Sequence, residues 1–175
     1  TLYGSSSTSG NIKIITKKPD VASVDYGFDV EYGSIEDGSN DQSLEAYINM
    51  PLGANTAVRV SAYDLQDGGW IDNELSTKTF TNSGYTIDNS AFAEDDYNEL
   101  NKSGYRIRLA SEIMGQNLDL SMLDQTSEFG GSWETDEAVG PRSNSRFNEE
   151  YFDDDFSQIS LSLSGDLNDN VEYIF

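Results

Sequence analysis

Residues 23–34, SVDYGFDVEYGS, alternate without a break: Val24, Tyr26, Phe28, Val30 and Tyr32 fall on one side, Asp25, Gly27, Asp29, Glu31 and Gly33 on the other. Period two marks a strand with two different faces, and a run of about ten residues suits a tilted membrane-crossing strand. The pattern returns with Leu44, Ala46, Ile48, Met50 and Leu52 against Glu45, Tyr47, Asn49 and Pro51. It returns again with Val58, Val60 and Ala62 against Arg59, Ser61 and Tyr63. A fourth strand is predicted at 103–113, where Tyr105, Ile107, Leu109 and Ile113 oppose Arg106, Arg108, Ala110 and Glu112. A fifth carries Leu118, Leu120 and Met122; a sixth alternates Ile159, Leu161 and Leu163 with serines; a seventh starts at Val171. No helical period competes with these.

The connections sort by length. Residues 53–55, 114–116 and 166–170 are short turns, whereas 67–102 and 129–155 are long, polar and rich in Gly and Asp, and 34–41 falls with the long set. Short turns at one end and long loops at the other are the habit of outer-membrane barrels. The expected fold is therefore all-β: an antiparallel up-and-down transmembrane β-barrel, present here as an incomplete, open, curved sheet of six to seven strands. The competing reading is an ordinary antiparallel sheet with one solvated face. On the polar face, Asp29, Glu31 and Glu45 are expected to neighbour and pair with Arg59, Arg106 and Arg108 in a wet lumen.

Charge narrows the partners. The 175 residues hold 32 Asp and Glu against 10 Lys and Arg, a formal net charge of -22, which disfavours nucleic acid. Cys and His are both absent, which removes thiolate and imidazole chemistry. Carboxylates in acidic loops are not a positioned acid and base, so the chain is not expected to be an enzyme, and no cofactor is expected. No apolar run reaches the roughly 18 residues of a membrane helix, a test to which barrel strands are invisible.

The first stretch changes the picture. Residues 2–19, LYGSSSTSGNIKIITKKP, resemble the end of the plug domain of TonB-dependent outer-membrane receptors, and GGWIDN at 68–73 resembles a segment common in that family after the third barrel strand. The resemblance implies a C-terminal plug end at 1–20 and the N-terminal part of a truncated barrel at 21–175. Residues 10–20 would be a basic last plug strand, with Lys17, Lys18 and Pro19 as the hinge and the lysines pairing with acidic lumen groups. It further implies a bacterial outer-membrane location and contact with outer-membrane lipid. The receptor would engage the TonB complex through an upstream segment. It would import a scarce nutrient such as a ferric siderophore, haem, cobalamin or a glycan. An odd strand count and the final Phe175 within a strand lead us to expect a piece of a longer chain.

Ligand contacts are expected in the long loops. Trp70, Tyr85, Phe129 and Trp133 are the candidates, and Trp133 is the best of them because it lies well inside a hydrophilic loop. Trp70 and Phe129 have the alternative of an outer aromatic girdle or loop packing. Asp153, Asp154 and Asp155, like residues 94–96, are weak calcium candidates, against the simpler reading of solvated loop charge. The alternative function is a soluble or surface β-protein whose acidic loops bind calcium or a glycan.

Overall fold

The structure, a computed structural model, describes residues 14–168 and 171–175. Its strands are β1 (Asp25–Ser34), β2 (Asn40–Pro51), β3 (Thr56–Asp67), β4 (Asp72–Asn73), β5 (Thr77–Thr79), β6 (Thr86–Asp88), β7 (Leu100–Ile113), β8 (Gln116–Phe129), β9 (Ser143–Asn144), β10 (Phe152–Asn168) and β11 (Val171–Ile174). Among the described residues the fold is all-β without a helix. Seven strands form one antiparallel sheet in the order β1-β2-β3-β7-β8-β10-β11, and β1 and β11 stay unpaired with each other, so the sheet is open.

Each strand follows from its alternation, and the turns fix how neighbours align. Met114 and Gly115 both have positive φ, at 53° and 77°, giving a two-residue turn whose twist matches the flanking strands. Glycine adopts this conformation freely and methionine does not. The ladder then runs without interruption from Ile113 opposite Gln116 to Leu100 opposite Phe129. Connections 52–55 and 114–115 lie at one end of the sheet; 35–39, 68–99 and 130–151 lie at the other. The expected sorting of short from long connections is what the described residues adopt.

Register assembles the apolar positions into rows. Tyr26, Ile48, Val60, Ile107, Met122 and Ile159 stand side by side across β1, β2, β3, β7, β8 and β10. A parallel row runs Met50, Val58, Leu109, Leu120, Leu161. Among the described residues nothing covers this face: Phe28 is 78% exposed, Tyr26 74% and Ile159 72%.

The band is also oblique. It is centred on Phe28 in β1, whose row reaches β10 at Ser157, but in β10 it is centred on Leu161, four positions further along. Four residues of roughly 3.3 Å over five strand spacings of roughly 4.8 Å give a slope of about 30°. Polar cross-strand pairs border it: Ser157 donates to Asp124 at 2.6 Å and Thr126 to Asp155 at 2.8 Å beyond one edge, and Thr56 lies 2.7 Å from Ser111 at the other.

The opposite face is polar and holds its own fittings. Tyr47 lies over Gly27 and Tyr63 over Gly104, each directly across the ladder, where a Cβ on either glycine would approach the ring to 2.8 or 3.0 Å. An aromatic ring covering a cross-strand glycine restores the packing that glycine lacks. Tyr63 also donates to Gln125 at 2.6 Å.

Residues 14–20 cross onto this face rather than joining a ladder. The basic strand expected over 10–20 is not one in its described part, whose contacts are to side chains of the polar face and not to a ladder; residues 10–13 and the Gly- and Ser-rich stretch before them lie outside the described residues. The segment is held instead by side chains. Arg108 Nη1 donates to the Thr16 carbonyl at 3.0 Å, and Asn49, 1% exposed, accepts from Asp20 N and donates to the Asp20 and Ser23 carbonyls.

Candidate functional site

Two groups of residues have the makings of a site, one in the long loops and one on the polar face. The loops form a single folded cap. β4 pairs in parallel with β9, joining 68–99 to 130–151, and a β5–β6 hairpin stands on the first of these. The short loop 35–39 is tied in by Ser39 N to the Gly69 carbonyl at 2.9 Å and by Arg142 Nη2 to Asp37 at 2.7 Å.

The interior of this cap is built from asparagine. Asn73, Asn89, Asn98 and Asn144 are each at most 3% exposed, beside Ile71 at 0% and Tyr97 at 8%. An asparagine side chain has both donor and acceptor and so can close irregular backbone where no ladder is possible. Asn73 donates to the Phe92 carbonyl and accepts from Arg146 N, both at 2.6 Å; Asn89 donates to the Glu74 and Arg146 carbonyls; Asn98 accepts from Trp70 N and Ile71 N. Asn144 donates to Tyr97 Oη at 2.6 Å, and that hydroxyl donates to the Ser132 carbonyl. Glycine permits the closest approaches: a Cβ on Gly69 would meet the Asp96 carbonyl oxygen at 1.6 Å, and one on Gly131 the Tyr97 ring at 2.0 Å. Arg146 is held between Glu134, at 2.9 Å, and Glu150, and its pKa is raised, chiefly by the bond to Glu134.

The candidate aromatics part company here. Trp133 is 65% exposed and meets Phe129 edge to face, with ring centroids 5.6 Å apart. Phe129 aligns with Leu100 and Phe152, in the rows of the polar face, so it does not join an outer girdle. Tyr85, 65% exposed, stands on the β5–β6 hairpin, and Trp70 is half-buried against the cap with its backbone on Asn98. Only Phe129 and Trp133 are brought together.

The carboxylate candidates do not converge. Asp153, Asp154 and Asp155 belong to β10 rather than to a loop, and successive strand residues point to opposite faces. Among the described residues no cluster of three or more carboxylates is arranged to hold a metal ion. In the 94–96 stretch, Asp96 is used within the cap, accepting from Ser39 Oγ at 2.8 Å.

The polar-face charges pair differently from the sequence expectation. Asp29 stands opposite Glu45, in a row with Tyr63 and Gly104, and none of Asp29, Glu31 and Glu45 forms an ion pair with Arg59, Arg106 or Arg108. Register sets this: Arg59 shares its row with Asp25 and Asn49, and its partner is Asp25 at 3.7 Å. The Arg59 guanidinium also lies 4.0 Å over the Tyr47 ring. Arg108 grips Asp119 with two nitrogens, at 2.8 and 2.5 Å. Lys17 reaches Asp25 at 3.5 Å; Lys18 and the half-buried Pro19 continue the segment toward Asp20.

An open antiparallel sheet, with an uncovered apolar band on one face, a polar, charge-bearing second face and a cap of loops at one end, is the class these features define. Compared with known protein families, curated proteins and solved structures, the chain matches none.

Proposed function

We propose that the chain is part of a TonB-dependent outer-membrane receptor, comprising the plug end at 1–20 and the first barrel strands at 21–175. The observation that carries this reading is the uncovered, oblique apolar band. No lysine or arginine falls in it, polar pairs border it, and its slope of about 30° is near the 35–45° strand tilt of outer-membrane barrels. Closing a sheet into a barrel requires such a tilt. On β1 the band runs from Val24 to Tyr32, eight steps of roughly 3.3 Å, or about 26 Å, close to the apolar height of a barrel wall.

Two further features support the reading. Residues 14–20 lie against the polar face, as a segment leaving a lumen-filling plug must. The unpaired β1 and β11 are edges that further strands of a longer chain would satisfy, since open edges are not stable in lipid. In this reading the receptor captures a scarce nutrient at the cap, with Trp133 and Phe129 as aromatic contacts, and imports it with energy transmitted by TonB through an upstream segment. It is a transporter and not an enzyme.

The test is to express the complete coding region in a Gram-negative host and fractionate the cells. The reading expects detergent-extractable protein in the outer-membrane fraction that migrates differently in gels before and after boiling. A protein that is soluble and monomeric without detergent, and whose melting temperature rises with calcium, would overturn it in favour of a surface β-protein with acidic binding loops.

A further inference from the structure

The polar face carries a pocket of about 300 Å³ whose lining includes Thr16, Lys17, Arg59, Tyr63, Arg106 and Arg108. We infer that this pocket is a binding site for a small oxyanion, a carboxylate- or phosphate-bearing ligand, with Arg106 as its main contact and Arg59 and Lys17 beside it.

Two of the lining side chains carry unmet donors. Arg108 spends four of its five N–H donors: Nε and Nη2 hold Asp119, and Nη1 holds the Thr16 carbonyl and hydroxyl. Arg59 is less engaged, for its Nη1 is buried without a hydrogen-bond acceptor, and Asp25 at 3.7 Å is shared with Lys17. Arg106 is the extreme case. Its Nε is buried without an acceptor, and it forms no ion pair among the described residues. A buried donor left unpaired costs about 1–3 kcal/mol, and more when charged, so two on the side chains that line one pocket favour an acceptor there.

The charge balance agrees. Four cations, Lys17, Arg59, Arg106 and Arg108, meet two ion-paired carboxylates, Asp25 and Asp119, and a third, Glu45, opposite Tyr63, leaving a surplus of one positive charge in a chain whose net charge is -22. Arg59 and Arg108 stand directly opposite each other in the ladder, and like charges so placed repel. An oxyanion neutralises the surplus and offers several acceptors, and guanidinium is the group best shaped to bind one in bidentate fashion. The inference does not require the receptor reading; with it, the site would lie on the import path, beneath the cap.

The experiment titrates inorganic phosphate, and separately citrate, into the purified full-length protein, with binding followed calorimetrically. Saturable binding is expected, weakened at least tenfold by Arg106→Gln and about threefold by Arg59→Lys. Lys102→Gln, on the same face but in the row of Leu65 and Ser127, should stay within twofold of the parent. Absence of saturable binding, or equal binding by the parent and Arg106→Gln, would overturn the inference. So would a parent that ignores both anions while Arg106→Gln lowers its melting temperature in their absence, because a carboxylate of the chain itself would then fill the pocket. If Arg106→Gln does not fold, Arg59→Lys carries the test. None of these outcomes depends on where the protein resides or on whether it imports anything.

Discussion

Arg59 on β3 and Arg108 on β7 face each other in register, yet each is restrained by a different carboxylate, Asp25 at 3.7 Å and Asp119 at 2.5 Å. Side-chain exposure is only 12% for Arg59 and 14% for Arg108, so solvent screens their repulsion poorly. Asp119→Asn should therefore destabilise the fold by about 1–3 kcal/mol, read as a lower denaturant midpoint. Adding Arg108→Met should restore part of the loss, because it removes the orphaned charge. A double variant weaker than the single one would show that the pair does not act as a unit.

The apolar band predicts a sharp contrast between neighbouring positions. Val60→Lys should block assembly into the outer membrane, at a cost of about 2–4 kcal/mol for a cation near mid-depth. Ser43→Lys, on the polar face beside Leu65 and Glu31, should be tolerated. Membrane-fraction yield of the two variants decides, and equal yields would count against a lipid-facing band.

The turn at Met114 can be improved. A methionine at φ 53°, with its side chain 96% exposed, has neither packing nor backbone preference in its favour. Met114→Asn suits this turn type and should stabilise by about 0.5–1 kcal/mol, visible as a higher melting temperature.

Asp67 links stability to pH. Burial, and then the charge and hydrogen bond of Asp41, raise its pKa above the ordinary carboxyl value. A group that binds its proton more tightly when folded handicaps the fold fully above its folded pKa, and the handicap disappears as pH falls through that value. Asp67→Asn should thus raise the melting temperature at pH 7 and make no difference below about pH 3.5. The opposite trend would mean that Asp41 and Asp67 are not in conflict.

The cap should fail at its joints. Gly131→Ala presses a methyl group into the Tyr97 ring, and Asn73→Ala strips acceptors and donors from Phe92 and Arg146; each should cost about 1–3 kcal/mol. Limited proteolysis should then cut within 68–99 and 130–151 while the ladder of β7 and β8 stays intact.

The strands were legible in the sequence because period two is a local property: Val24 to Tyr32 and Ile159 to Leu163 declare their face without reference to any partner. Rows are a different matter. A slide of two residues keeps every side chain on its face but exchanges its neighbours, so the alternation identified Arg59 and Asp29 as face-mates without telling that Asp25 would be the partner. The strands also ran further than their apolar parts, since Phe152 to Asp155 pair with Phe129 to Thr126 although 129–155 reads as loop. Least legible was the cap. Asn73, Asn89, Asn98 and Asn144 look like any polar loop residue, and their burial depends on backbone groups distant in the chain, such as Arg146 for Asn73.

The glycines of the cap divide it into what can change and what cannot. Around Gly69 and Gly131 there is no room for a single added carbon, so the joint between the loops admits no variation in side-chain size. The hairpin tip at 81–85 and the stretch 135–139, which lies beyond the Trp133–Phe129 contact and the Glu134–Arg146 ion pair, are exposed throughout. A protein under pressure to accept a different ligand would have those two rims to rewrite, above a keel that holds them at a constant separation.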